Sequence, residues 1–288
     1  MLCKSRVYIG LGDINYVHKT AESVGPVPVD NSFYHAADDI WWDDAHPLAT
    51  LRTMVNPGRV PYFRQVLLKR LGLDPHATRV LEVGCGGGLL SEEIAGLGFA
   101  VSGIDPSEPS LATARAHATR SGFTIDYRVG AGERIPFPDG EFPVVLCCDV
   151  LEHVQDLQAV IAEIARVLAP GGVFLYDTIN RTLISKLIVI KVAQEWAATR
   201  FVPSNLHDWQ AFIKPSELRT ILNQHGLANI ETVGLMPAAG PLAMLQAARR
   251  FRAGKLTFGE LGRRLAFRRS RLLACSYMGY ARKPATAQ

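Results

Sequence analysis

The sequence predicts an α/β protein built on a seven-stranded, mostly parallel sheet with helices on both faces. Three observations carry this prediction. From residue 79 to residue 177, short apolar runs alternate with helical patterns, which is the rhythm of linked βαβ units. The first run, RVLEVGCGGGL at 79–89, passes from an apolar stretch through an acid into a burst of glycines, the pattern of a strand, a tight turn and a helix start. Two further strand-like runs near the end, 230–235 and 272–281, supply a terminal hairpin-like pair.

Each element follows from local pattern. Residues 1–30 are weakly patterned. Next comes FYHAADDIWWDDAHPL, in which Trp41 and Trp42 are either core residues or part of a lid, with core packing expected for at least one. Residues 51–73 read as helical, broken early by Pro57 and Pro61. Strands are expected at 79–83, 100–104, 124–129, 143–149 and 173–177, with helices at 89–97, 111–121 and 157–168 between them. The turn Pro170-Gly171-Gly172 ends the third of these helices. Beyond the fifth strand, helices are expected at 183–200, from Pro215 to about 224, and at 242–267. This gives an N-terminal segment with a possible lid role, 1–60, and a sheet domain, 61–288, with insertions at 181–213 and 240–270.

With 48% apolar residues the chain can bury a full core, and global disorder is excluded. A net charge of +4 is too small to argue for nucleic acid, and none is expected as a partner. The basic residues cluster at 249–271, however, and that asymmetry needs a cause. Five scattered cysteines with no CxxC spacing argue against zinc and fit reduced thiols in a cytoplasmic protein. Neighbours Cys147 and Cys148 should point to opposite faces of their strand. No signal-like apolar run and no stretch of the ~20 apolar residues needed to span a bilayer is expected.

A dinucleotide fingerprint GxGxxG puts its third glycine where this chain has Leu89. The match is instead to ExGxGxG: Glu82, Gly84, Gly86 and Gly88, with Cys85 in the turn. That is the pattern of class I S-adenosylmethionine methyltransferases, which the stretch resembles. Glycines there let backbone approach the cofactor closely. Glu82 is expected to anchor the loop or to meet the cofactor's ammonium through water. Asp105, followed by Pro106, ends the second strand and can accept from both ribose hydroxyls; its other reading is a helix cap. The loop GAGERIPFPDGEF resembles the stretch that usually reads GDAxxLPF, but Ala131 replaces the acid, so backbone at Gly132 and Glu133 must serve the adenine.

Further blocks resemble the ubiquinone-biosynthesis O-methyltransferases: WWD at 41–43, LEHV at 151–154, INR at 179–181, HDWQAFIKPSEL at 207–218 and YMGYARK at 277–283. Residues before 41 and within 240–270 are poorly matched. The resemblance implies a Rossmann-like class I methyltransferase fold, S-adenosylmethionine as cofactor and a polyprenyl catechol or phenol, a small aromatic acceptor, as substrate. It also implies a magnesium-type ion held by an acid–acid–histidine set, here Asp149, Glu152 and His153. Their i, i+3, i+4 spacing would share one side of a helical turn, although Asp149 stands where the family usually has Glu. The alternative is that LEHV only walls the pocket, with Asp149 beside the cofactor. Phenols of pKa about 10 are mostly neutral at pH 7, so a base or a metal is needed. His207, oriented by Asp208, or His153 is expected as that base. Arg181 and Lys214 match family positions and could equally be structural. The stretch 183–200, apolar with scattered Lys and Trp196, could lie in a bilayer interface or serve as a lid; basic residues 249–271 could add attraction to anionic lipid or form a solvated helix. The alternatives to O-methylation are N- or C-methylation of a small metabolite, a non-catalytic cofactor-binding module and an NAD enzyme, the last opposed by Leu89.

Overall fold

The computed structural model describes residues 40–196 and 206–285; residues 1–30, part of the 33–48 stretch and the end of the expected 183–200 helix lie outside the described residues. Eight strands form one sheet: β1 (Arg79–Val83), β2 (Ala100–Asp105), β3 (Asp126–Val129), β4 (Phe142–Cys148), β5 (Leu168–Ile179), β6 (Ala228–Pro237), β7 (Phe267–Ser270) and β8 (Ser276–Arg282). Their spatial order is β3-β2-β1-β4-β5-β8-β6-β7. The first five are parallel, while β8 runs antiparallel to both β5 and β6.

The seven-strand expectation is corrected by one edge strand. β7 pairs antiparallel with β6, from Pro237↔Phe267 to Gly234↔Ser270. Its sequence, FRRS, is too short and too basic to alternate visibly, and charged edges are how sheets avoid further pairing. The expected single helix at 242–267 is two helices, α7 (Pro241–Arg252) and α8 (Phe258–Arg264), once the shorter helices before them are counted. The break falls at Gly254, whose φ of 66° ends α7. The Pro170-Gly171-Gly172 turn lies inside β5, where the pairing with β4 shifts register.

Helices cover both sheet faces. On one side, α4 (Leu157–Val167) buries Val160, Ile161, Ile164 and Val167, a stripe at helical spacing, together with Leu218 and Leu222 of α6 (Pro215–Gln224). On the other, α1 (Asn56–Arg64) and the wide helical turns Gln65–Arg70 contribute Tyr62, Phe63, Val66 and Leu67, beside Leu90 and Ile94 of α2 (Leu89–Ala95). Each such fully buried large side chain contributes about 1.5–3 kcal/mol. Pro57 sits in the first turn of α1, where its missing N–H costs nothing. α1 runs across residue 60, so the expected domain boundary falls within a helix. Gly58 is required there: a Cβ would stand 2.9 Å from the Phe267 backbone of β7. α3 (Glu108–Arg120) packs Leu111 and Ala114 near Cys85 and Tyr127. Cys147 belongs to the first core and Cys148 to the second, on opposite faces. After β5, α5 (Leu183–Ser185) continues as wide turns over Lys186–Glu195.

Chain order reverses between β1 and β4, so their carboxyl ends open a crevice of the kind where ligands bind in open α/β sheets.

Candidate active site

The glycine loop leaves β1 with Gly84, Gly86 and Gly88 all at positive φ. Its start is held by β2: the N–H groups of Gly84 and Cys85 both donate to the Ile104 carbonyl, at 2.8 and 2.9 Å. The N–H of Gly86 donates to Asp105 Oδ2 at 2.9 Å, while Asp105 Oδ1 accepts from Ser107 N–H at 2.9 Å. Asp105 therefore joins the loop to the start of α3, and its capping duty there is shared with Ser107, whose hydroxyl accepts from Ser110 N–H. Below the loop, Glu82 is buried and bonded by the Ser91 hydroxyl of α2. Burial pushes its carboxyl up to about 8, a neutral acid tying β1 to α2. Burial likewise raises the Cys85 thiol far above its ordinary range, leaving it unreactive.

Two tryptophans pack over the loop. Trp41 is buried, and a Cβ on Gly86 or Gly87 would lie 2.4 or 2.2 Å from its ring. The Trp42 indole N–H donates to the Gly87 carbonyl at 3.0 Å, and its ring stacks on His117 at 3.3 Å. Trp41 is a core residue, as expected for at least one of the two.

Arg59 went unforeseen as a site residue. It reaches from α1 to the carboxyl ends of β4 and β5, donating at 2.7 Å to Asp149 and at 2.7 Å to Asp177. Its Nε and Nη2 both donate to Asn56 Oδ1. Burial opposes the guanidinium's charge, but the two carboxylates outweigh it and raise its pKa well above ordinary. The sequence signal was present: Val55, Arg59, Tyr62, Phe63 and Val66 follow helical spacing, and an arginine inside an apolar stripe implies buried acids.

The DVLEHV stretch is a turn and not a helix, which corrects the geometry expected for Asp149, Glu152 and His153. Asp149 adopts φ 55°, rare for a residue other than glycine, with its carboxylate on Arg59. Glu152 is buried, accepts from the Thr178 hydroxyl at 2.7 Å, and is pushed up to about 8 by burial. His153 points instead toward His207. Among the described residues no three of His, Cys, Asp and Glu group to hold a metal. The expected magnesium-type donor set therefore does not fit the arrangement.

His153 and His207 lie 5.1 Å apart between ring centroids, tilted by 49°. Both residues are half-buried by surface, yet loss of hydration pulls His153 down to about 4 and His207 to about 3. Nδ1 of His207 is buried without a hydrogen-bond partner among the described residues. Its backbone is clamped from the wide turns that follow α5: Gln194 accepts from His207 N–H at 2.8 Å and donates to His207 C=O at 2.9 Å. Asp208 does not touch the imidazole; its carboxylate accepts from Gln210 N–H and caps the turn Trp209–Ala211. Arg181 bonds Glu217 and the Gln210 carbonyl, and Lys214 begins the cap of α6, so both are tied into local structure. Gly132 packs on Val160 and Val83, and Glu133 accepts from Gln155 N–H at 3.3 Å. Pro106 is exposed beside Asp105.

The family described as a methyltransferase domain matches residues 81–176. The ubiquinone biosynthesis O-methyltransferase of Methylobacterium nodulans is 37% identical over 212 residues, 71% of this chain and 84% of that one. Its counterpart in Caulobacter sp. strain K31 is 40% identical over 210 residues, 70% and 82% of the two chains. The chain belongs to the ubiquinone biosynthesis O-methyltransferase family. It is an S-adenosylmethionine-dependent methyltransferase, and the glycine cradle with Asp105 fits that cofactor. Among solved structures, a methyltransferase from Bacillus halodurans shares the fold at TM-score 0.53 and 23% identity, covering 78% of this chain and 98% of its own. The MccD protein does so at TM-score 0.54 and 16% identity, covering 78% and 95%.

Proposed function

We propose that this enzyme methylates a hydroxyl of a catechol or phenol resembling a ubiquinone precursor, with His207 as general base, His153 against it, and Asp208 as a support of the loop. S-adenosylmethionine supplies an electrophilic methyl group bound by the glycine loop, with Asp105 and Pro106 at the ribose, Gly132 and Glu133 at the adenine, and Asp149 lining the crevice. One observation carries the proposal: a neutral imidazole with an unpartnered Nδ1, beside a second neutral imidazole. Neutral Nδ1 accepts a hydrogen bond, so it can orient a phenolic O–H and take its proton. A base this weak does not ionise a phenol beforehand. The acidity of the hydroxyl rises steeply as its oxygen is alkylated, so transfer to His207 is favourable in the transition state. Positioning of the reactants supplies most of the remaining acceleration.

The outer face of α5 and of the wide turns after it favours a hydrophobic acceptor and a peripheral membrane contact through residues 183–200. Leu183, Ile184, Leu187, Ile188 and Trp196 are exposed there. No helix among the described residues is long and apolar enough to cross a membrane. The test is a mass-spectrometric screen of catechol, phenol and amine acceptors, with and without EDTA. Catechol methylation that His207→Ala abolishes while cofactor affinity is kept supports the proposal. Unchanged turnover in His207→Ala, or methylation of amines alone, overturns it.

A further inference from the structure

Residues 241–272 hold nine of the chain's 31 Lys and Arg and one of its 27 Asp and Glu. The segment is net +8, so the rest of the chain is net −4. All nine basic residues are exposed. Arg263 and Arg269 have carboxylate partners, Asp44 and Glu231. Arg249, Arg250, Arg252 and Lys255, at the end of α7, pair with no carboxylate among the described residues.

The apolar residues of the same segment are placed oddly for a solvated helix. Leu242 and Leu245 are 69% and 49% exposed, and Leu272 is 67% exposed. On α7 the series Leu242, Leu245, Arg249, Arg252 recurs at helical spacing on the outward face, opposite buried Ala247. α7 packs chiefly on α8, through Phe251 against Phe258 with ring centroids 4.7 Å apart. α8 in turn is seated firmly. A Cβ on Gly259 or Gly262 would lie within 2.3 Å of Asp44 or 2.0 Å of Thr53, and Arg263 bonds Asp44 at 2.7 Å. Asp44 lies two residues past Trp42, which packs over the glycine loop. β6 ends at Pro237, past the level where Leu235 and Ile179 both pair with Ser276. The segment therefore leaves the carboxyl end of the sheet, the end that carries the site and α5.

We propose that residues 241–272 form a docking surface for an anionic lipid bilayer. An exposed apolar face ending in exposed arginines is how an interfacial helix meets lipid: leucines enter the headgroup boundary and guanidinium groups bind phosphates. A nucleic acid would match the charge but leave Leu242 and Leu245 without a partner. The surface turns the open end of the sheet toward the bilayer. This inference does not depend on the acceptor, and it concerns a surface separate from α5.

The test is flotation of the full chain with vesicles of phosphatidylcholine alone or mixed equally with phosphatidylglycerol. Each cation near an anionic surface changes partition about fivefold at low salt. Binding to the anionic vesicles is expected to exceed binding to phosphatidylcholine by at least about tenfold and to weaken with salt. The combined Arg249→Glu, Arg250→Glu and Arg252→Glu variant should lose at least about tenfold, with cofactor affinity and melting temperature unchanged. Leu242→Ser with Leu245→Ser should bind more weakly while keeping the salt dependence. Wild-type protein that ignores anionic vesicles overturns the proposal. So does tighter binding to duplex or single-stranded nucleic acid at the same salt. So does a charge-reversed variant that floats like the wild type; if Leu187→Glu in the wide turns after α5 then abolishes flotation, the membrane contact belongs to that stretch alone.

Discussion

Replacing Arg59 by methionine keeps much of its volume and deletes its charge. The structure sets the consequence. Arg59 is 3% exposed and Asp177 2% exposed, so Asp177 is left buried without its cation. Asp177 is already pushed up to about 6, because burial raises it more than Arg59 lowers it. Without Arg59 it rises further. Breaking a buried pair by removing one partner costs about 3–5 kcal/mol. For a domain of this size that is a melting temperature lower by roughly 6–20 °C.

The pH dependence identifies the cause. An acid whose folded pKa lies above its unfolded value of 3.8 binds its proton more tightly in the folded state. Its ionisation therefore destabilises the fold as pH rises from the unfolded value through the folded one. In Arg59→Met that window extends above pH 6. The deficit against wild type should be largest near pH 8 and shrink toward pH 5, where Asp177 is protonated in both proteins. Melting curves by calorimetry or circular dichroism at pH 5, 6, 7 and 8 read this directly. A deficit independent of pH, or one that grows with acid, would refute the buried-pair reasoning.

Three further outcomes follow from other contacts. Gln194→Ala removes both bonds that hold the His207 backbone, and a misplacement on the order of 1 Å costs about a hundredfold in rate; kcat should fall roughly 10–100-fold with KM for the cofactor unchanged, and equal kcat in steady-state assays would separate Gln194 from the base. Glu231 is pushed up by burial but held below its ordinary pKa overall by bonds from Arg70 and Tyr62 and by the Arg70 and Arg269 charges. Its contribution, about 1 kcal/mol after allowing for partial exposure, is present above pH 4.5 and lost as pH falls through its lowered pKa, so Glu231→Gln should be less stable at pH 7 and equal to wild type in stronger acid. Gly87→Ala drives a Cβ into the Trp41 ring, which should cost about 1–3 kcal/mol, red-shift the tryptophan fluorescence and weaken cofactor binding; an unshifted spectrum would mean that Trp41 does not rest on the loop.

How far the sequence could be read depended on whether a feature was local. The glycine loop, Asp105 and the opposed cysteines were legible because strand alternation and turn chemistry act over a few residues. β7 was not, since four residues with two arginines carry no alternation. Arg59 was legible only as an anomaly in an apolar stripe, because its partners lie 90 and 118 positions downstream. The clamp of Gln194 on His207 carried no signal at all, being a side-chain amide bonded to backbone across 13 residues.

The acid–acid–histidine set shows why spacing alone misleads. Positions i, i+3 and i+4 share a face only in a helix, and α4 does not begin until Leu157. In the turn before it, Asp149 at φ 55° faces Arg59, Glu152 faces Thr178, and His153 faces His207. Three side chains that would have converged on one ion instead serve three partners. The first two hold the ends of β4 and β5 together, which fixes the floor of the crevice. The third joins a pair of imidazoles whose burial keeps them uncharged at neutral pH. A cationic imidazolium here would repel a sulfonium cofactor and could not accept a proton. Neutrality therefore serves both partners of the proposed transfer: it leaves the methyl donor's positive charge unopposed and keeps a lone pair free for the acceptor's hydroxyl.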